Sequence, residues 1–354
     1  MRINAVIIHS THYIAAEFVR QWTGWDDLNP RPKQCLLVNI FQTHFEAHFL
    51  LYCHDCCCSY IRGIDIALST PNNLKNIEIN GRQLHYVEQG EDVEQPVIIF
   101  VHGSLDDYRC WQFQIDSFSK KYRAISYSRR FAYPNKWIGN VAQDNTIEAN
   151  AKDLAELIRK LNLAPTHLVG ASYGAFVTLY CASKNPELAK TMVLNEPPIF
   201  PFLAGSSLKD DVELLKRYRT HVQSPTEDAF KRGEFGKAAQ IFIDRIMDID
   251  NFFEQLSGKD KQLLMDNAKS LEGELEYAQP KSFSVEDVKQ VTTIPTLLVK
   301  GELSPKFFHR ISDILSDNMP NSTEQIVIPN VSHDNVKFTN MFTSKVMEFF
   351  ARHN

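Results

Sequence analysis

The chain has 354 residues, 44% of them apolar and 23% charged, with a formal net charge of −5. That composition excludes collagen-like and disordered classes, and the length suits one large α/β domain with an insertion or two ordinary domains. Lys and Arg are scattered rather than gathered into a stripe that would neutralise phosphates, which argues against a nucleic-acid partner.

No run of 18 apolar residues free of charge is present, so no membrane span is expected. The apolar start Ala5-Val6-Ile7-Ile8 is too short for a secretory core segment, which makes the cytoplasm the expected address. Seven cysteines, three of them adjacent at Cys56, Cys57 and Cys58, make a poor disulfide framework and fit reduced thiols.

Residues 1–73 follow no steady period and read as an N-terminal extension outside the chemistry. His44, His48, Cys53, His54, Cys56, Cys57 and Cys58 are of the types zinc takes. They lack paired C-x2-C knuckles at a sensible separation, so unliganded packing or disorder is the reading. Regular patterning begins at Leu74. Ile77-Glu78-Ile79 and Leu84-His85-Tyr86-Val87 alternate on either side of Asn80-Gly81, which predicts a hairpin. Pro96 to Val101 is a continuous apolar run, as in a strand buried on both faces, and it ends in His102-Gly103-Ser104.

A helix around Trp111 to Phe118 precedes the strand Tyr122 to Tyr127. Ile147, Ala151, Leu154, Ile158 and Leu161 then fall on one face of a helix, with Asn145 or Thr146 to cap it. Thr166 to Gly170 is a short strand that runs into Ser172 and a helix from Tyr173 to about Ser183. Further strands at Thr191–Glu196, Thr293–Gly301 and Gln325–Ile328, and helices at Pro305–Met319 and near the C-terminus, predict a mostly parallel sheet with helices on both faces. Residues 74–198 and 291–354 form the expected core, and 199–290, helical and charged, an inserted lid over the strand ends.

Gly170-Ala171-Ser172-Tyr173-Gly174 is a G-x-S-x-G turn between strand and helix, the context in which that motif presents a nucleophilic serine. Glycines two residues either side leave room for a strained turn. The following helix N-terminus favours negative charge beside the serine. The backbone N–H groups of Ser104 and Tyr173 are the expected oxyanion donors. His333, late in the chain after the last strand, has the placement of the general base. Two glutamates compete for the acid: Glu196 at the end of the strand after the elbow helix, which is preferred, and Glu302 after the strand ending at Gly301.

As a set these residues resemble the α/β-hydrolase superfamily, in particular its lidded esterase, haloperoxidase-like and dehalogenase-like branches, from Leu74 to the C-terminus. The resemblance implies an α/β-hydrolase fold. Ser172 stands where dehalogenases and epoxide hydrolases carry an aspartate, which argues for acyl transfer to water. Asp107, Arg109, Trp111, Arg129, Arg130, Tyr133, Pro134 and Asn135 look like further family-type features, the arginines as buried ion pairs with Asp106 or Asp107 or as holders of a substrate carboxylate. The expected activity is hydrolysis of a small-molecule ester, thioester or lactone without metal or organic cofactor. Carbon-carbon bond hydrolysis or perhydrolysis by the same triad, and a non-catalytic binding protein on the same fold, are the alternatives.

Overall fold

The computed structural model describes residues 37–43, 46–52, 73–90, 94–275, 279–291, 293–319, 323–333, 337 and 339–353, with 37–52 as backbone only. The chain divides into two compact units, Met1–Ala67 and Leu68–Asn354. In the first, strands β1 (Leu37–Thr43) and β2 (Glu46–Tyr52) pair antiparallel, Leu37 opposite Tyr52. The side chains considered as zinc ligands at 44–58 lie outside the described residues.

The second unit is built on an eight-stranded sheet: β3 (Lys75–Ile79), β4 (Arg82–Gln89), β5 (Val97–Val101), β6 (Arg123–Tyr127), β7 (Thr166–Ala171), β8 (Ala189–Asn195), β9 (Thr296–Gly301) and β10 (Thr323–Ile328). Their spatial order is β10-β9-β8-β7-β5-β6-β4-β3. The six strands from β10 to β6 are parallel; β4 runs antiparallel to β6, and β3 to β4. The β3–β4 hairpin turns at Asn80 (φ +48°) and Gly81 (φ +73°), the left-handed pair such a turn demands and the reason Asn-Gly is found there.

Every residue of β7 and of β9 is buried, so the sheet is covered on both faces, which explains why these strands read as unbroken apolar runs rather than alternating ones. Helix α1 (Gln112–Phe118) meets the C-terminal helix, where Phe118 packs edge-on to Phe350. Helices α2 (Ile147–Lys160) and α3 (Tyr173–Lys184) pack together, α3 lying along β7 and β8. Thr146 caps α2 by accepting from the Ala149 N–H.

Between β8 and β9 the chain leaves the sheet for α4 (Phe200–Ala204), α5 (Lys209–Tyr218), α6 (Ser224–Lys231), α7 (Phe235–Ile246) and α8 (Gly258–Asp266). Helix α6 ends ahead of Gly233, whose φ of +74° no helix interior accommodates, and α7 begins two residues later. Helices α9 (Lys306–Asn318) and α10 (Asn340–Ala351) complete the fold, Trp111 and Phe342 joining the same aromatic layer as Phe118.

Candidate active site

Four neighbouring strands, β6, β5, β7 and β8, are each followed within a few residues by a non-glycine residue at positive φ: Phe131, Leu105, Ser172 and Glu196. Such backbone costs free energy and survives only where the surroundings over-determine it, and it concentrates at functional sites. Ser172, at φ +51° and ψ −125°, is the N-cap of α3. Its N–H is tied to the Asn195 carbonyl at 2.8 Å and its own carbonyl accepts from Ala175. A Cβ at Gly174 would press into the carbonyl oxygens of Val101 and His102, and one at Gly170 into Ala175. Gly174 therefore lets the elbow lie directly against the β5 turn, and Gly170 lets β7 pass close under the first turn of α3.

The late loop brings His333 to this elbow. Its Nε2 lies 3.0 Å from Ser172 Oγ and its Nδ1 2.6 Å from Glu196 Oε2. A carboxylate only accepts, so the proton belongs on Nδ1, leaving the Nε2 lone pair facing the serine hydroxyl. Glu196 is fully buried, its second oxygen accepting from the Gly301 N–H at 2.8 Å. His333 is 6% exposed and stacks on Phe308 of α9, centroids 3.8 Å apart and planes 11° from parallel. Glu302, the competing acid, is exposed and accepts from the Asn330 N–H at 2.9 Å, away from His333.

Gly103, Ser104, Ala171, Ser172, Asn195 and His333 line one small cavity of about 30 Å³. The Tyr173 side chain is not part of that lining: the ring is buried behind the elbow, and its hydroxyl donates to the Asn145 carbonyl at 3.2 Å. Its N–H, the first of α3, has no intrahelical acceptor.

Several lining residues were not singled out from sequence. Phe242, Ile243 and Ile246 come from α7 in the insertion and carry no local motif. Asn195, 1% exposed, has a buried Oδ1 that finds no hydrogen-bond partner among the described residues. Lys337, four residues beyond His333 on the same loop, pairs with Asp106 at 2.7 Å, and both line the cavity. Arg109 makes the expected ion pair with Asp107 and also holds Asp266. The other two arginines pair elsewhere, Arg130 with Asp153 and Arg129 with Glu274, while Asp106 takes the lysine. Asp153 and Glu274 are distant in sequence from these arginines, and their pairing follows from the fold alone.

An elbow at the C-terminal edge of a mostly parallel sheet, with a histidine and a buried carboxylate within hydrogen-bond reach, defines a class, the hydrolytic α/β enzymes. The family model described as alpha/beta hydrolase fold matches residues 96–338, and the chain belongs to that family. Among relatives, it is 31% identical over 167 residues to (E)-2-((N-methylformamido)methylene)succinate hydrolase of Acinetobacter baylyi, covering 45% of this chain and 59% of that protein. It is 22% identical over 184 residues to an uncharacterized hydrolase, YraK, of Bacillus subtilis, covering 52% and 66%. The chain thus spans less than two thirds of the length of these relatives.

Solved structures of similar fold include an epoxide hydrolase of Vigna radiata (TM-score 0.61, 21% identity, 79% of this chain and 98% of that one). A carboxylesterase of Bacillus subtilis has a TM-score of 0.58 at 17% identity, over 79% of this chain and 92% of that one. Among the described residues no helix is long and apolar enough to cross a membrane.

Proposed function

We propose that this enzyme hydrolyses a carboxylic ester, thioester or lactone through an acyl-enzyme on Ser172. The observation that carries the reading is the continuous bonded line Ser172 Oγ, His333 Nε2, His333 Nδ1, Glu196 Oε2, with separations of 3.0 and 2.6 Å, starting from a serine in elbow geometry. In the first half-reaction the Ser172 oxygen bonds to the carbonyl carbon as its proton passes to His333. The carbon–heteroatom bond then breaks and the leaving group takes that proton. Water repeats the sequence on the ester and releases the acid. Glu196 fixes the imidazole tautomer and faces the imidazolium that forms; the N–H groups of Ser104 and Tyr173 hold the oxyanion.

The insertion serves as the lid in this reading. Phe242, Ile243 and Ile246 of α7 line the small cavity beside Ser172, where an acyl group would sit. The test is covalent labelling by a fluorophosphonate probe in wild type and Ser172→Ala. Labelling that persists in the alanine variant would refute the assignment. A panel of p-nitrophenyl and thioesters of graded length follows, including carboxylate-bearing acyl groups, because Lys337 lines the cavity and the Acinetobacter relative acts on a substituted succinate.

A further inference from the structure

We infer that Arg129 is the positioning residue of the oxyanion pocket, clamping and polarising the Gly103–Ser104 peptide while Glu274 of the insertion holds its charge. This role rests on Ser172 being the nucleophile. The Gly103 carbonyl and the Ser104 N–H belong to one planar trans peptide and point in opposite directions, so fixing the first aims the second. Two donors fix that carbonyl: His102 Nδ1 at 2.9 Å and Arg129 Nη2 at 2.8 Å. The His102 tautomer follows from its other nitrogen, since Nε2 accepts from the Arg129 backbone N–H at 2.9 Å and leaves the proton on Nδ1. Both lone pairs of the Gly103 oxygen are then engaged. Donors at a carbonyl draw electron density from its amide and make the N–H on the far side a stronger donor.

The same guanidinium reaches further. Its Nε donates to the His102 carbonyl at 3.0 Å, so it grips two successive peptides of the turn. It lies 4.8 Å from the centroid of the Tyr173 ring, so it braces both residues that supply the proposed oxyanion N–H groups. Arg129 is 1% exposed, and its only carboxylate partner among the described residues is Glu274, 2.9 Å from Nη2. Glu274 follows the turn Ala268–Gly273 and also accepts from Asn145 at 3.1 Å. Gly273 lets this segment lie against the Val141 carbonyl, where a Cβ would collide. Two carbonyls, a carboxylate and a ring face are met at once by a planar fork; a lysine ammonium offers one point charge and cannot replace it.

The experiment uses the full chain with Arg129→Met, Arg129→Lys and the double variant Arg129→Met/Glu274→Met, which avoids stranding a buried carboxylate. Single-turnover acylation is expected to fall about 10- to 100-fold in all three. The inhibition constant of phenylboronic acid, which becomes a tetrahedral anion on Ser172, should rise by a similar factor, while that of planar benzoate changes by less than about threefold. A merely structural role would lower the melting temperature and weaken both inhibitors alike, and that result would overturn the inference. So would a folded double variant with wild-type acylation and boronate affinity. Absence of Ser172-dependent labelling in the wild type would instead remove the hydrolase reading, and this role with it.

Discussion

The strand ends and the insertion contribute to the site by different means. At the strand ends the backbone does the placing: Leu105, Ser172 and Glu196 are held at positive φ on adjacent parallel strands, and Ser172 and Glu196 are tied to the next strand through the carbonyls of Asn195 and Val299. The insertion contributes side chains instead, with Phe242, Ile243 and Ile246 on the cavity wall and Glu274 paired with Arg129 behind the Gly103–Ser104 turn. Reacting groups tolerate little displacement, because a misplacement of about 1 Å can cost about 100-fold in rate. Groups that select substrate tolerate more. A rigid sheet edge therefore suits the first task and a helical excursion the second, and substitutions in the two regions should separate turnover from selectivity.

The largest effects belong to the strand ends. Ser172→Ala and His333→Ala should each lower kcat by about 10⁴- to 10⁶-fold, since members of such a unit fail together. Glu196→Gln should cost about 10³- to 10⁴-fold by presenting the wrong tautomer to the serine, whereas Glu302→Gln, an exposed side chain bonded to the Asn330 N–H, should stay within about threefold. Initial rates on p-nitrophenyl acetate separate them. Comparable losses at both glutamates would mean that the 2.6 Å contact at His333 does not mark the working acid.

Most of the core was legible because its signals are local. The Asn-Gly turn, the apolar run before His102, the four-and-three spacing from Ile147 to Leu161 and the elbow glycines each specify an element through neighbours in sequence. Ser172 and His333 stood out for the same reason. The choice between Glu196 and Glu302 was open in the sequence, because both end strands of the sheet, and it turns on strand order: Glu196 ends β8, beside the elbow strand, with Glu302 one strand further out. Lys337 with Asp106 and Arg129 with Glu274 were not legible for a related reason. Each pair joins residues more than one hundred positions apart, and no periodicity records which loop a buried charge will meet.

Glycines extend the comparison to stability. Gly174 is a steric glycine, and an alanine there would have to displace the backbone of the β5 turn, so Gly174→Ala should cost about 3 kcal/mol or more. Gly233 in the insertion has φ +74° and open space around it, so Gly233→Ala should cost only about 1 to 2 kcal/mol, the penalty of the left-handed conformation. Urea midpoints measure both, and a reversed order would show the elbow to be looser than its contacts indicate. On the selectivity side, Ile246→Ala should leave kcat on short esters near wild type and improve kcat/KM for acyl chains two or three carbons longer by about tenfold, the scale of pocket methylene effects. A drop in kcat without any change in chain-length preference would move α7 out of the selectivity role.

The smallest effect is the one that tests how tightly the β5 turn excludes solvent. Burial, reinforced by the Arg129 charge, holds the His102 imidazole well below the usual histidine range, so it stays neutral in the folded protein. In the unfolded chain it titrates near about 6.5. Above that pH the residue is neutral in both states and contributes no pH dependence. Below it the unfolded chain binds a proton that the native state refuses, so stability falls with falling pH, by about 1.4 kcal/mol per unit, until the folded imidazole itself titrates. Urea melts of wild type and His102→Gln between pH 7.5 and 5 should therefore differ in slope by close to one proton on the acid side, whatever the offset in absolute stability. Parallel slopes would mean that His102 protonates at Nε2 without unfolding, and then it could not remain the acceptor of the Arg129 backbone N–H on which its assigned tautomer rests.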